Sequence, residues 1–196
     1  EQMEFIADSY AQQVSILKFL GFDMVSIHLC YRGQLPTQFL SPLTNTRKDE
    51  YGGSLENRAK FPLMVIDRVR QRCGENFLIE YRMSGSEEIE GGLTQEDGIA
   101  FAKMLDGKVD LIHVSAGSQQ DEYSCVLMHP GAFQKHGENS GLAAEIKKHV
   151  KTPVVTVGAF SEPDKMEAFL EESDVDCIAM GRALMSHPKL IVLDEP

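Results

Sequence analysis

The apolar positions of this chain switch repeatedly between a spacing of three or four residues and strict alternation. Over residues 4–20, Ile6, Tyr10, Val14 and Leu17 recur at helical spacing and make one apolar face. Gly21 then closes the segment, as a glycine just past a helix end does. A short strand is predicted over 24–28, followed by a glycine- and proline-containing loop over 29–54. The second helix covers 56–72, with Pro62 inside it as a point of kinking or late start. The pattern then gives a strand at 77–83, a helix at 94–105, a strand at 109–115 and a long loop over 116–139. A helix at 142–149, a strand at 153–157, a helix at 162–171, a strand at 175–180 and a turn or short helix from Gly181 complete it. An opening helix followed by five strands, each with its own helix or helical stub, predicts a single α/β domain over 1–196 built on a parallel sheet.

Pattern alone leaves a doubly wound open sheet and a barrel both standing. Side-chain parity separates them, because successive residues of a strand point to opposite faces. One set holds Val25 and Ile27, then Phe77, Ile79, Tyr81 and Met83, then Ile112 and Val114, Val155 and Val157, and Ile178 and Met180. That row is apolar and large, as a helix-covered face requires. The other holds Met24, Ser26 and His28; Leu78, Glu80 and Arg82; Leu111, His113 and Ser115; Val154, Thr156 and Gly158; and Cys177, Ala179 and Gly181. It turns polar, charged or small toward the strand ends. An open sheet covered on both sides needs two apolar faces, whereas a (β/α)8 barrel gathers polar side chains at the C-terminal mouth. Parity therefore favours the barrel.

Composition narrows the partners. A net charge of −11 repels nucleic acid and anionic membrane, so neither is an expected partner. No apolar run approaches the ~18 residues that a membrane span needs, and nothing at the start resembles a signal peptide. Cys30, Cys73, Cys125 and Cys177 lie too far apart for a CxxC pair, which fits unpaired thiols in a reducing, cytoplasmic compartment. No strand is followed by GxGxxG or a P-loop.

The stretch FLSPLTNTRKDEYGGSLENR, residues 39–58, strongly resembles the signature of the old yellow enzyme family, the NADH:flavin oxidoreductases. Its flanks agree in order and spacing. GFDMVSIH (21–28) is similar to the fourth barrel strand of that family, YRMS (81–84) to the fifth, VDLIHVSAG (109–117) to the sixth, PVVTVGA (153–159) to the seventh and DCIAMGR (176–182) to the eighth. The resemblance covers essentially the whole chain and implies a (β/α)8 TIM barrel represented by about strands 4–8, with the first three units and their flavin contacts not in this sequence. It implies FMN as cofactor, NADH or NADPH as reductant, and a small-molecule substrate with an activated alkene.

The resemblance also assigns residues. Arg82 stands where the family places an arginine beside the N1/O2 edge of the flavin, where a fixed guanidinium stabilises the charge of the reduced ring; the structural alternative is an ion pair with Glu80. Gly158, Ala159, Gly181 and Arg182 match the phosphate site after strands seven and eight, although glycines there also suit plain tight turns. His28 matches the substrate-anchoring histidine, a hydrogen-bond donor to a carbonyl or carboxylate oxygen. The sequence then departs from the family: Tyr31 replaces the usual second His or Asn, Gly33 stands where a proton-donating tyrosine is common, and the loop is one residue longer. Tyr31 is thus open as second donor, as acid or as neither. Glu50, Tyr51 and Arg58 read as structural, His113 as packing inside the barrel, and Tyr123, His129 and His136 as a pocket-shaping loop.

The expected activity is FMN-dependent hydride transfer from NAD(P)H to an activated C=C bond. Three alternatives stay open: a different flavin reaction such as amine oxidation, a phosphosugar barrel enzyme, and a catalytically silent fragment. Five strands would leave open edges, so a homo-oligomer is a further expectation.

Overall fold

The computed structural model of the chain describes residues 1–128, 130 and 134–181. In chain order the elements are α1 (Gln2–Phe19), β1 (Met24–His28), α2 (Leu35–Leu40), α3 (Leu55–Cys73), β2 (Leu78–Ser84), α4 (Gln95–Leu105), β3 (Leu111–Ser115), α5 (Glu122–Met128), α6 (Ser140–Lys147), β4 (Val154–Val157), α7 (Pro163–Ser173) and β5 (Cys177–Ala179). The five strands form one parallel sheet in the order β1-β2-β3-β4-β5. Each strand pairs with its sequence neighbour because a helix carries the chain back between them. No described helix is long and apolar enough to cross a membrane.

Register makes the two faces explicit. Ile27, Tyr81, Ile112 and Val154 stand side by side across four strands. They join Val65, Ile66 and Val69 of α3, Phe101 and Leu105 of α4, and Ile146 of α6 in the core. Ala7, Ala11 and Val14 of α1 are buried there too, small residues that let α1 lie close against α3. On the opposite face, His28, Arg82 and His113 share one row near the strand ends, continued by Val155 and Cys177.

Three expectations need correction. In β4 it is Val154 and Thr156 that share the helix-covered face, while Val155 and Val157 align with the row of His113 and Cys177. Both alternating sets of this four-residue strand can be buried, so only pairing with β3 decides the facing. The 29–54 loop contains α2, and the 116–139 loop contains α5; helices of six or seven residues carry too few turns to show a period. Pro62 does not delay α3, which starts at Leu55 under the Ser54 N-cap, whose Oγ accepts the Asn57 N–H at 3.4 Å.

Candidate active site at the C-terminal ends of the strands

Beyond His28 the backbone turns sharply, with Tyr31 at φ 65° and Arg32 at φ 54°. Non-glycine residues in the left-handed region cost on the order of 1–3 kcal/mol each and persist only where the surroundings over-determine them. Here three loops do so. The Tyr31 N–H donates to Ser84 Oγ at 3.0 Å, and the Tyr31 carbonyl accepts from the Gln119 N–H at 3.1 Å. Arg32 Nε donates to Ser118 Oγ at 2.8 Å and faces Glu87 Oε1 at 3.4 Å. Glu87 is itself buried; its Oε2 accepts from Ser41 Oγ at 2.8 Å and from the Leu93 N–H at 2.9 Å. The loops after β1, β2 and β3 are thereby tied through the Arg32–Glu87 pair.

That backbone brings the Tyr31 side chain to β2 and β3, where it is 3% exposed. Its hydroxyl accepts from Arg82 Nη2 at 2.9 Å and lies 2.5 Å from Ser115 Oγ. The Arg82 guanidinium sits 5.7 Å from the centre of the Tyr31 ring, which in turn lies 5.4 Å from the ring of His28. His28, Tyr31 and Arg82, which sequence reading singled out separately, form one cluster.

The electrostatics follow from burial. His28 is half-buried, and burial together with the charge of Arg82 lowers its pKa below the ordinary imidazole value. Both influences favour the neutral imidazole. The Gln34 amide faces its Nδ1 at 3.4 Å, and Cys30 Sγ lies 3.5 Å from its Nε2. Burial, then the neighbouring Cys30, push the Tyr31 phenol up against the opposing influence of Ser115 and Arg82. Burial pushes the Cys30 thiol up to about 12, so it is no thiolate nucleophile. Glu80 takes His113 rather than Arg82 as its hydrogen-bond partner, with His113 Nδ1 at 2.9 Å from Oε1. Burial raises the Glu80 carboxyl, but hydrogen bonds from His113 and Ser26 and the charge of Arg82 outweigh it and hold it below its usual value. Sequence reading did not anticipate the Glu80–His113 pair; the register of β2 against β3 creates it.

At the other end of the row, Gly158 follows β4, and Ala159 adopts φ 55°. A left-handed residue in a strand-to-helix turn is one half of the αR–αL arrangement in which successive N–H groups converge on an anion. A Cβ on Gly158 would meet only ordinary contacts at 3.5 Å, and one on Gly181 nothing within 4 Å among the described residues. Arg182 and His129 lie outside the described residues. His136 is exposed and bonded to Ser161 Oγ at 2.9 Å, and Tyr123 is exposed on α5; neither joins the cluster. Arg58 is buried, and Glu50 pairs with Lys60 at 3.8 Å, both away from it.

Residues 1–193 match the model of the NADH:flavin oxidoreductase / NADH oxidase family. The chain belongs to this family. It is 40% identical over 189 residues to an NADH oxidase of Thermoanaerobacter brockii, covering 96% of this chain and 28% of that protein. It is 32% identical over 205 residues to a cinnamate reductase of Clostridium sporogenes, covering 97% and 30%. The structure of histamine dehydrogenase from Rhizobium sp. 4-9 superposes with a TM-score of 0.84 at 29% identity, over 95% of this chain and 26% of that one. The chain thus spans under a third of the length of these relatives. Its sheet and outer helices are a segment of the (β/α)8 barrel of these flavoenzymes, about strands four to eight. FMN is the family's cofactor, with a nicotinamide as reductant.

The residues present fit FMN. Arg82 Nε is a buried N–H with no hydrogen-bond acceptor among the described residues, the kind of donor that a flavin edge would satisfy. Gly158 and the left-handed Ala159 make the kind of backbone turn after β4 that suits a phosphate.

Proposed function

We propose that the whole protein reduces an activated C=C bond of an enone or enoate type with NADH or NADPH, and that this part of the chain supplies its substrate anchor and much of its flavin site. FMN, when bound, supplies the two-electron relay between the nicotinamide and the substrate. Arg82 would place a fixed positive charge beside the flavin N1/O2 edge. Gly158, Ala159 and Gly181 would hold the phosphate through backbone N–H groups, with Arg182 assigned there by the family resemblance alone. His28 would donate a ring N–H to the carbonyl or carboxylate oxygen of the substrate, where negative charge grows as the β-carbon is reduced. A water or a tyrosine protonates the α-carbon. The single observation that carries the reading is the row itself: a half-buried His28 level with Arg82 on paired strands. The neighbouring Tyr31 is open as a second donor, as the acid, or as neither.

A second reading, oxidation of an amine, draws on the likeness to histamine dehydrogenase. It would keep Arg82 and the phosphate residues and change the part played by His28. One experiment separates the two. The FMN-loaded protein is reduced anaerobically with NADH or NADPH, followed by the loss of absorbance near ~450 nm, and then mixed with cinnamate or cyclohexenone. Recovery of the oxidised spectrum with formation of the saturated product supports the alkene reading. Bleaching by an amine in the absence of nicotinamide, with no reoxidation by either alkene, rejects it.

A further inference from the structure

We propose that Tyr31 is a positioning residue for Arg82, one that sets the reduction potential of bound FMN, and not a donor to substrate. This deepens the assignment of Arg82 to the flavin and rests on it. A phenol has one hydrogen to give and two lone pairs with which to accept. Arg82 is always charged and only donates, so the Tyr31 oxygen accepts from Nη2 at 2.9 Å. Its hydrogen-bonding capacity is further occupied by Ser115 Oγ at 2.5 Å. The guanidinium also lies 5.7 Å from the ring centre, within reach of a cation–π attraction. With the side chain 3% exposed, a substrate has no approach to the hydroxyl without displacing these partners.

The geometry of arginine makes this bond consequential. Its five N–H donors form a rigid planar fork, so holding Nη2 restricts the orientation of the plane, and with it the directions open to Nε. Nε is the donor that is buried with no partner among the described residues. Tyr31 is thus bonded to one corner of the guanidinium while another corner remains for the flavin. The loop places Tyr31 there through its left-handed backbone, which Ser84, Gln119 and the Arg32–Glu87 pair hold. His28, half-buried beside it, is left as the side chain that a substrate can reach.

The test compares the FMN-loaded wild-type protein with Tyr31→Phe, which removes only the hydroxyl. The expected result is a more negative midpoint potential and flavin reduction by NAD(P)H slower by about tenfold, the effect of losing one hydrogen bond to a charged group, with the KM for the enone unchanged. An unchanged potential with a raised enone KM overturns the proposal. If Tyr31→Phe does not fold or hold FMN, Ser115→Ala keeps the phenol and removes its second bond. A smaller shift in the same direction then supports the proposal, and an unchanged potential overturns it. Arg82→Ala is the control: an unchanged potential there defeats the assignment of Arg82 itself. The potential is read without any alkene, so a wrong substrate class leaves this measurement intact.

Discussion

Glu87 carries a charge in a place with almost no water, and its pairing with Arg32 at 3.4 Å joins two loops that sequence separates by more than fifty residues. Removing one partner of such a pair leaves the other buried and uncompensated, which costs about 3–5 kcal/mol. Glu87→Gln keeps the size of the side chain but strands the Arg32 guanidinium, and is expected to lower unfolding stability by about 3 kcal/mol in a urea titration. A change within ~0.5 kcal/mol, the ordinary range for surface substitutions, would show that water reaches Arg32. His28 gives a second prediction, in pH. Its folded-state pKa lies below its unfolded value, because burial and Arg82 disfavour the imidazolium. The unfolded chain therefore binds more protons, and stability falls as pH drops through about 6.5 toward the folded pKa. His28→Gln is expected to flatten that decline in urea midpoints taken between pH 5 and 7.5; an identical slope in both proteins would contradict it. The candidate side chains themselves were legible in the sequence, His28 and Arg82 from parity and resemblance. The joining of Tyr31 to Arg82 and Ser115 was not, because it depends on positive φ at two non-glycine residues, which no local pattern announces.

Among the elements, α4 shows where helix propensity and packing disagree. Thr94 caps it, with the Thr94 side chain accepting from the Asp97 N–H and Asp97 reaching back to the Thr94 N–H. Gly98, within the helix, is a weak helix former, and glycine to alanine in an exposed helix gains about 1 kcal/mol. Here a Cβ at position 98 would lie 2.0 Å from the carbonyl oxygen of Gly85, in the segment that follows β2. That oxygen is backbone and cannot swing aside. Gly98→Ala is therefore expected to destabilise by about 1–3 kcal/mol, the cost of overpacking, as read from the urea midpoint. A gain in stability would mean that α4 can move away from the sheet. The same element argues how far pattern reading extends. The sequence pattern places α4 within one residue, at 94–105 against Gln95–Leu105, whereas α2 and α5 escape because one or two turns cannot display a period. Strand β4 was found but its facing was reversed. The strand's one polar residue, Thr156, points to the helix-covered face, so polarity misleads, and only the pairing of His113 with Val155 gives the facing.

For the molecule as a whole, two long-range forces oppose each other. Among the described residues β1 and β5 each pair on one side only, so both edges of the sheet present free backbone groups. Beside β1, Phe19 is 87% exposed, with Phe5, Leu20 and Phe22 also open to water, and Met24 and Leu78 lie uncovered on the face that bears His28 and Arg82. Apolar surface next to an unpaired edge favours association of chains. Against it stands a net charge of −11, which makes like chains repel. The repulsion is screened by salt, with a Debye length of about 30 Å at 0.01 M and about 3 Å at 1 M, while apolar burial is not. Chains of these 196 residues are therefore expected to sediment mainly as monomers in ~10 mM salt and to shift toward dimers or larger species as NaCl rises toward ~500 mM. Sedimentation velocity across that range is the check. A monomer at every salt concentration would show that the exposed phenylalanines and the β1 edge find cover within one chain. Association that weakens with salt would point instead to ion pairs between chains as the force that joins them.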